Sequence, residues 1–113
     1  MVNKILDNLI KTIKKNKKKN PRISYTAKLY KSGLKGCKKK FLEEVKELLN
    51  STSRSKKDII YESADVIYHF LVLLERMDIS FKETTKELKK RSKLSGILEK
   101  KKRNLKKKDG FAR

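Results

Sequence analysis

Acidic side chains at helical spacing are the part of this sequence best suited to chemistry. The chain has 13 Asp and Glu against 33 Lys and Arg, for a formal net charge of +20. Two of its acidic clusters are Glu43, Glu44 and Glu47, and then Glu62 and Asp65. Residues three and four positions apart share one face of a helix. Each cluster can therefore project its carboxylates together, and two consecutive helices can aim both clusters into one groove.

Converging carboxylates need a cation, because like charges held together resist ionisation. Mg²⁺ prefers oxygen ligands and commonly joins carboxylates to substrate phosphates. Ordinary solvated Glu–Lys pairs are the alternative interpretation. Glu62 and Asp65 argue against it because they interrupt an apolar helix, where an isolated carboxylate is costly. An anionic substrate would also need basic groups opposite the acids. The candidates for these are Lys28, Lys35, Lys39, Lys40 and Arg91.

Other catalytic signals are weak. His69 is the only histidine and follows Asp65 by four residues, so it can reach the same helix face. The favoured interpretation is a structural histidine with one backbone hydrogen bond. Tyr25 and Tyr30 could stack on a base or simply pack. The sequence has no Ser-His-Asp or Cys-His pattern, no glycine-rich phosphate loop and no CxxC pair.

Composition indicates one small all-α domain. The chain has 113 residues, no Trp, one Pro and four Gly, which favours helices over β architectures. The longest apolar run, residues 66–74, contains His69 and is too short to span a bilayer. The amphipathic N-terminus does not resemble a signal peptide, and the single Cys37 cannot form an internal disulfide. We therefore expect a cytoplasmic protein.

The excess of lysine has two interpretations. Lysines release counterions from nucleic-acid backbones, so a charge of +20 suits nucleic-acid binding. Lys nevertheless outnumbers Arg 27 to 6, and Arg is better suited to bidentate phosphate and base recognition. We favour tolerant surface positions that have filled with Lys. The two densest runs, residues 14–19 and 100–108, are typical of solvated or disordered segments.

Apolar periodicity and capping residues predict the helices. We expect helices over residues 2–15, 37–50, 55–77 and 80–91, with a short helix or turn over 24–30. Pro21 ends the first region, Gly33 and Gly36 bracket a break, and Ser55 and Ser80 begin capping boxes. The helix over 55–77 is apolar around much of its circumference, which indicates a central or interface position and a homo-oligomer. We expect a helical domain over residues 1–92 and a lysine-rich, partly disordered tail over 93–113.

Several motifs together resemble the phosphoribosyl-ATP pyrophosphohydrolase family, of the MazG-type all-α nucleotide pyrophosphohydrolase superfamily. Residues 24–29, SYTAKL, are similar to a segment of that family. Gly33 and Lys40 with the EExxE acids, residues 62–74 with the ExxD acids, and the closing Leu88 and Arg91 resemble further parts of it. The resemblance covers roughly residues 4–98. The departures are Leu42, where the family usually has Gly, and Gly36 with Cys37.

The resemblance implies a four- to five-helix bundle that forms a homodimer. It also implies hydrolysis of phosphoribosyl-ATP to phosphoribosyl-AMP and pyrophosphate, the second step of histidine biosynthesis. From the composition we expect no membrane and no specific nucleic acid as partner. The implied metal-binding and catalytic residues for Mg²⁺ are Glu43, Glu44, Glu47, Glu62 and Asp65. The implied substrate-binding residues are Ser24, Tyr25, Thr26, Lys28, Lys40 and Arg91.

Two other functions stay open at this point. One is a housecleaning enzyme that hydrolyses a different nucleoside triphosphate, against which the SYTAKL segment argues and which a substrate panel would distinguish. The other is a non-enzymatic, basic helical protein that binds nucleic acid. That function predicts tight, salt-sensitive duplex binding that depends on the C-terminal tail.

Overall fold

Five α-helices account for most of residues 2–93, the part of the chain that the computed structural model describes, with side chains from residue 4 onward. Their bounds are α1, Val2–Asn16; α2, Tyr25–Lys31; α3, Gly33–Ser51; α4, Lys56–Arg76; and α5, Phe81–Ser92. Residues 2–93 contain no β-strand, so the predicted all-α class is confirmed. Nearly all of the predicted tail, residues 94–113, lies outside the described residues. No helix within residues 2–93 is both long and apolar enough to cross a membrane.

Serine side chains begin three of the helices. Ser24, in an extended conformation, accepts a hydrogen bond from the backbone amide of Ala27 at 3.1 Å and caps α2. Ser55 caps α4 by accepting from the amide of Asp58 at 3.2 Å. At α5, the Ser80 hydroxyl accepts from Lys82 at 3.2 Å, one residue earlier than the predicted capping box requires. Such caps satisfy amides that the first helical turn leaves unpaired.

The connection between α2 and α3 differs from the prediction. The sequence predicts a break bracketed by Gly33 and Gly36, but α3 begins at Gly33 and continues through Gly36. Gly33 has a φ of +83°, a conformation that other residues rarely adopt, so the chain turns there with only Ser32 between the two helices. A Cβ at Gly36 would lie 2.1 Å from Ser32 Oγ. The second glycine therefore permits a close approach inside a helix and does not end it.

The α3–α4 pair forms the centre of the unit built by the first four helices. Helices α1 to α4 form one compact unit, and α5 belongs to a second. The most extensive helix–helix contact joins α3 and α4, while α2 contacts both and α1 contacts α2 and α4. The buried apolar side chains are Ile13, Ala27, Leu29, Cys37, Leu71, Val72 and Leu74. The thiol of Cys37 is free, donates to the Leu29 carbonyl at 3.4 Å, and has a pKa raised by burial.

Two residues of the first lysine run, Lys14 and Lys17, form ion pairs with a residue of another helix. Glu75 on α4 accepts from Lys14 Nζ at 2.8 Å and from Lys17 Nζ at 2.6 Å. Lys17 and Arg76 also lie against the Tyr30 ring, 4.9 and 4.7 Å from its centroid. Burial raises the pKa of Glu75, but the hydrogen bonds from the two lysines outweigh it and lower that pKa overall. The cluster ties the end of α1 to the end of α4.

Replacing Glu75 with Gln should lower the free energy of unfolding at pH 7 by about 1–3 kcal/mol, the usual cost of a lost charged hydrogen-bond partner in a partly buried site. Because the native pKa of Glu75 is lowered, its contribution is present above the unfolded-state pKa and is lost as the pH falls through the native value. Urea unfolding at pH 7 and at pH 3 measures both effects. Asp58→Asn is the control, since its exposed carboxylate lies 3.9 Å from Arg54. Equal losses in the two variants would contradict this role.

Candidate active site

Glu44 on α3 and Asp65 on α4 meet in the contact between these helices. The Glu44 side chain is only 11% exposed, and Asp65 is half-buried. Together with His69 they offer three ligand atoms within 4.8 Å of one another. Glu44 and Asp65 belong to different sequence clusters. The structure therefore brings the two clusters to one place and forms a group that could hold a metal ion.

The electrostatics extend this group to Glu47 and Glu62. Burial is the largest cause that raises the pKa of Asp65, and the charge of Glu44 follows. The pKa of Glu62 is also raised, first by desolvation and then by the charges of Glu47, Asp65 and Glu44. Neighbouring carboxylates therefore add to burial in disfavouring the charged forms of Glu62 and Asp65. A bound cation would favour those charged forms.

Glu43 lies at the edge of the group. Its side chain is half-exposed and is 3.5 Å from Lys40 Nζ. The same ammonium is 3.3 Å from Glu44 Oε2, and that hydrogen bond is the main cause of the raised pKa of Lys40. Of the predicted substrate-binding residues, Lys40 is therefore the one that forms ion pairs with these acids.

Helix α2 lies against α4 next to the acids through its first turn. Ser24 is buried, and besides capping α2 it donates to the Asn16 carbonyl at 3.2 Å. Thr26 is also buried, and its hydroxyl hydrogen-bonds to the Tyr68 hydroxyl. Tyr25 between them is 51% exposed. Desolvation raises the pKa of Tyr25, with Lys40 opposing and Glu44 and Asp65 adding to the effect. Ser24 and Thr26 thus hold the helix in place, while Tyr25 borders the acidic group.

The two remaining substrate-binding candidates are exposed. Lys28 lies on α2 three residues after Tyr25, so helical spacing puts it on the same side of that helix. Arg91 lies on α5, in the second unit, where its Nε is 3.1 Å from Glu87 Oε2. The structure therefore associates Lys28 with the α2 side of the site and describes Arg91 only within its own helix.

His69 makes the backbone hydrogen bond that the structural interpretation predicts, and one more. Its Nδ1 is 2.7 Å from the Asp65 carbonyl oxygen, and its Nε2 is 3.0 Å from the Tyr25 hydroxyl. The Tyr68 ring packs edge-on against the imidazole, with centroids 5.0 Å apart. Sequence reasoning missed Tyr68 as a partner of α2. The available signal was its position three residues after Asp65, on the site side of α4.

The donor set suits a hard divalent cation. Carboxylate oxygens from two helices lie close together, and burial with neighbouring carboxylates raises the pKa of Glu62 and of Asp65, so a bound cation would favour their charged forms. Both nitrogens of His69 are engaged in hydrogen bonds, so the carboxylate oxygens of Glu44 and Asp65 are the better ligands of the group. The residues present therefore fit a metal bound mainly through oxygen.

Comparison with known proteins agrees with this arrangement. The family model described as phosphoribosyl-ATP pyrophosphohydrolase matches residues 6–92. The chain is 38% identical over 96 residues to a phosphoribosyl-ATP pyrophosphatase of Rhodobacter capsulatus, a match that covers 84% of this chain and 93% of that protein. It is 44% identical over 88 residues to the phosphoribosyl-ATP pyrophosphatase of Ignicoccus hospitalis, covering 77% and 86% of the two chains.

A third relative is longer. The chain is 46% identical over 89 residues to the histidine biosynthesis bifunctional protein HisIE of Pyrococcus furiosus, and this match covers 79% of the chain and 42% of that protein. The family model and these relatives span the helices that carry both acidic clusters. On this evidence, the chain belongs to the phosphoribosyl-ATP pyrophosphohydrolase family.

Proposed function

We propose that this protein hydrolyses the α–β phosphoanhydride of phosphoribosyl-ATP and releases phosphoribosyl-AMP and pyrophosphate, the second step of histidine biosynthesis. The observation that carries the proposal is the meeting of Glu44 and Asp65 beside Tyr25 of the SYTAKL helix. Family membership supports the same substrate. Water supplies the hydroxyl that replaces pyrophosphate on the nucleotide, so no further reactant is needed.

Mg²⁺ is the proposed cofactor. Glu44, Glu47, Glu62 and Asp65 would hold it, with Glu43 at the edge of the group. When bound, the ion neutralises phosphate charge and lowers the pKa of a coordinated water. The raised pKa values of Glu62 and Asp65 support a divalent ion here, because a bound cation would favour the charged forms that burial and the neighbouring carboxylates disfavour.

The chain's own residues bind and orient the substrate. The ammonium of Lys40 lies 3.3 Å from Glu44 Oε2, at the edge of the acids, where it can stabilise negative charge on the departing pyrophosphate. Lys28 can attract the anionic substrate from the α2 side. The buried hydroxyls of Ser24 and Thr26 act indirectly, since their hydrogen bonds set the position of α2 and of Tyr25.

A substrate panel tests the proposal. Purified protein is supplied with Mg²⁺ and with phosphoribosyl-ATP, ATP, dCTP or dUTP, and pyrophosphate release is measured together with the nucleotide product. The expected result is release from phosphoribosyl-ATP with a kcat/KM well above that for the other nucleotides. Faster release from an ordinary nucleoside triphosphate would favour a housecleaning enzyme and overturn the assignment.

Exposed apolar side chains on α3 and α4 support a homodimer. Leu42 and Leu49 are seven residues apart on α3, and Ile60 and Ile67 are seven apart on α4; all four are exposed. Helical geometry puts Ile60 and Ile67 roughly opposite Asp65 on α4. A second copy of the chain could cover these side chains while the acids stay available to substrate. The bulk of Leu42, where the family usually has Gly, adds to this apolar surface.

The variant Ile67→Asp should shift the protein from dimer to monomer, because a charge at the centre of an apolar interface would be desolvated without a partner. Sedimentation velocity measures the mass directly. Ile23→Asp is the matched control, since Ile23 is 79% exposed and lies outside α3 and α4. A wild-type protein of monomer mass at micromolar concentration would refute the homodimer.

The location and the domain division are also proposals. The free, buried thiol of Cys37 suits the reducing cytoplasm. We propose that residues 1–92 form the catalytic domain and that residues 93–113 form a separate lysine-rich tail, with no part in the reaction.

A further inference from the structure

A hydrogen-bonded chain links the Tyr25 hydroxyl to α4 through His69. The imidazole is buried, with 4% exposure. Its Nδ1 lies 2.7 Å from the Asp65 carbonyl oxygen, which can only accept, so Nδ1 must carry the hydrogen. In the neutral imidazole, Nε2 then has a lone pair and no hydrogen. The Tyr25 hydroxyl, 3.0 Å away, therefore donates its proton to Nε2.

The hydrogen bond from Tyr25 restricts the ability of His69 to bind a metal ion. Asp65, Glu44 and His69 offer ligand atoms that lie within 4.8 Å of one another. A histidine ligand must offer an unshared lone pair to the ion, and the only one on His69 is used by the Tyr25 hydroxyl. A metal could use Nε2 only by displacing Tyr25. The imidazole therefore binds the Tyr25 hydroxyl and fixes its position.

The arrangement also restricts what Tyr25 can bind. Because its proton points at His69, the phenol oxygen faces the site as an acceptor only. The ring is held edge-on to His69, with centroids 5.8 Å apart and planes at 75°, and it lies 6.3 Å from the Tyr68 ring. The ionised phosphates of a nucleotide substrate are acceptors too. The oxygen is therefore matched to a donor, and the sugar hydroxyls are the donors nearest a nucleotide's phosphates.

We propose that His69 is a positioning residue and not a metal ligand, and that it holds Tyr25 as an acceptor for a ribose hydroxyl of the substrate. The identity of that substrate rests on the proposed function. The role of His69 itself rests only on the hydrogen bonds that it makes.

Nitrogen NMR of the wild-type protein tests, without any substrate, whether His69 accepts from Tyr25 and does not bind the metal. The chain has a single histidine, so ¹⁵N-histidine labelling of protein without an affinity tag gives one imidazole to observe. At pH 8 we expect a protonated Nδ1 and an unprotonated Nε2, with the Nε2 signal shifted in Tyr25→Phe. Addition of Mg²⁺ should leave the Nε2 signal nearly unchanged. A protonated Nε2, or a large Nε2 shift on Mg²⁺ addition, would overturn the proposal.

Steady-state kinetics test, with a matched pair of substitutions, whether His69 holds Tyr25 in place for substrate binding. In His69→Gln the side-chain amide can replace Nε2 and still accept from Tyr25, whereas in His69→Asn it replaces Nδ1 and leaves Tyr25 without a partner. Loss of one neutral hydrogen bond corresponds to roughly a 5-fold effect. We expect Tyr25→Phe and His69→Asn each to raise KM about 5-fold with kcat within twofold of wild type, and His69→Gln to be closer to wild type.

The double variant makes the test independent of folding defects. If His69 acts through Tyr25, adding His69→Asn to Tyr25→Phe should not raise KM further, and none of these variants should change the Mg²⁺ concentration that half-saturates the rise in thermal stability. Additive KM effects, or a higher Mg²⁺ requirement in His69→Asn alone, would refute the positioning role. If phosphoribosyl-ATP is not hydrolysed at all, the proposed function fails, while the NMR result still decides the role of His69.

Discussion

Glu44→Gln and Asp65→Asn are each expected to lower kcat for pyrophosphate release by about 100- to 1,000-fold. These carboxylates come from different helices and meet with ligand atoms within 4.8 Å. Removing one charge from such a pair weakens the binding of a cation worth several kcal/mol of charge stabilisation in the transition state. Each 1.36 kcal/mol corresponds to a factor of about ten in rate. Stopped-assay measurement of pyrophosphate at saturating phosphoribosyl-ATP, with Mg²⁺ fixed at the concentration that saturates the wild-type protein, gives the effect directly.

Glu43→Gln is the matched control for these variants. Glu43 is the residue immediately before Glu44 on the same helix and makes the same change of charge, but its side chain is half-exposed at the edge of the group. We expect its kcat to fall by no more than about tenfold, the scale of a surface electrostatic change. Full activity in both Glu44→Gln and Asp65→Asn would remove the metal assignment. An equally severe loss in Glu43→Gln would instead place Glu43 among the metal ligands.

Withdrawal of Mg²⁺ should abolish hydrolysis and also lower the thermal stability of the wild-type protein. Burial and neighbouring carboxylates raise the pKa of Glu62 and of Asp65 in the folded protein, which disfavours their charged forms. A cation that binds only the folded protein stabilises it by mass action. We therefore expect the Tm at pH 8 to rise by several degrees from EDTA to millimolar Mg²⁺. Asp65→Asn should have a higher Tm than wild type in EDTA, and its Tm should rise less on addition of Mg²⁺.

The pH dependence of stability has a definite sign for the same reason. Desolvation first, and the charge of Glu44 second, raise the pKa of Asp65 in the folded protein. An acid whose pKa is raised by folding contributes stability that is fully present below its unfolded-state pKa, about 3.9 for Asp. That stability is lost as the pH rises through the pKa of the folded protein. The Tm of metal-free wild type relative to Asp65→Asn should therefore decline from pH 4 to pH 8. Millimolar Mg²⁺ should reduce that decline.

The control for this comparison is Asp58→Asn, which removes an exposed carboxylate from the first turn of the same helix. Its Tm in EDTA should not exceed that of wild type, because the Asp58 charge is favourable near a helix N-terminus. A metal-free Asp65→Asn that is as stable as wild type throughout pH 4–8 would mean that the carboxylates do not repel one another in the folded protein.

Local patterns in the sequence anticipated most of the helices. Ser55 caps α4 as its spacing predicts, and Ser80 caps α5 one residue earlier than its spacing predicts. A serine oxygen can satisfy a free amide without help from the rest of the fold. Gly33 and Gly36 were harder to interpret. A glycine is compatible with a helix break, with a turn or with close contact to another part of the chain. At Gly33 the positive φ shows a turn, and at Gly36 the closeness of the Ser32 side chain shows a close contact.

The acids show where local information ends. Helical spacing groups Glu44 with Glu47, and Glu62 with Asp65, because a helix repeats every 3.6 residues whatever surrounds it. The spacing does not distinguish Glu43 from Glu44. That difference arises when α4 covers one side of α3, which buries Glu44 and leaves Glu43 half-exposed beside Lys40.

By itself, the sequence determined the helical class, the pairing of acids within each cluster and the family, because these depend on residue types at short spacing. Only the tertiary structure decided which residues from distant positions meet. Lys17 joins Glu75 across 58 positions, Thr26 joins Tyr68 across 42, and Tyr25 joins His69 across 44. Such contacts depend on how buried surfaces fit together, and a periodic pattern along one helix carries no information about its partner.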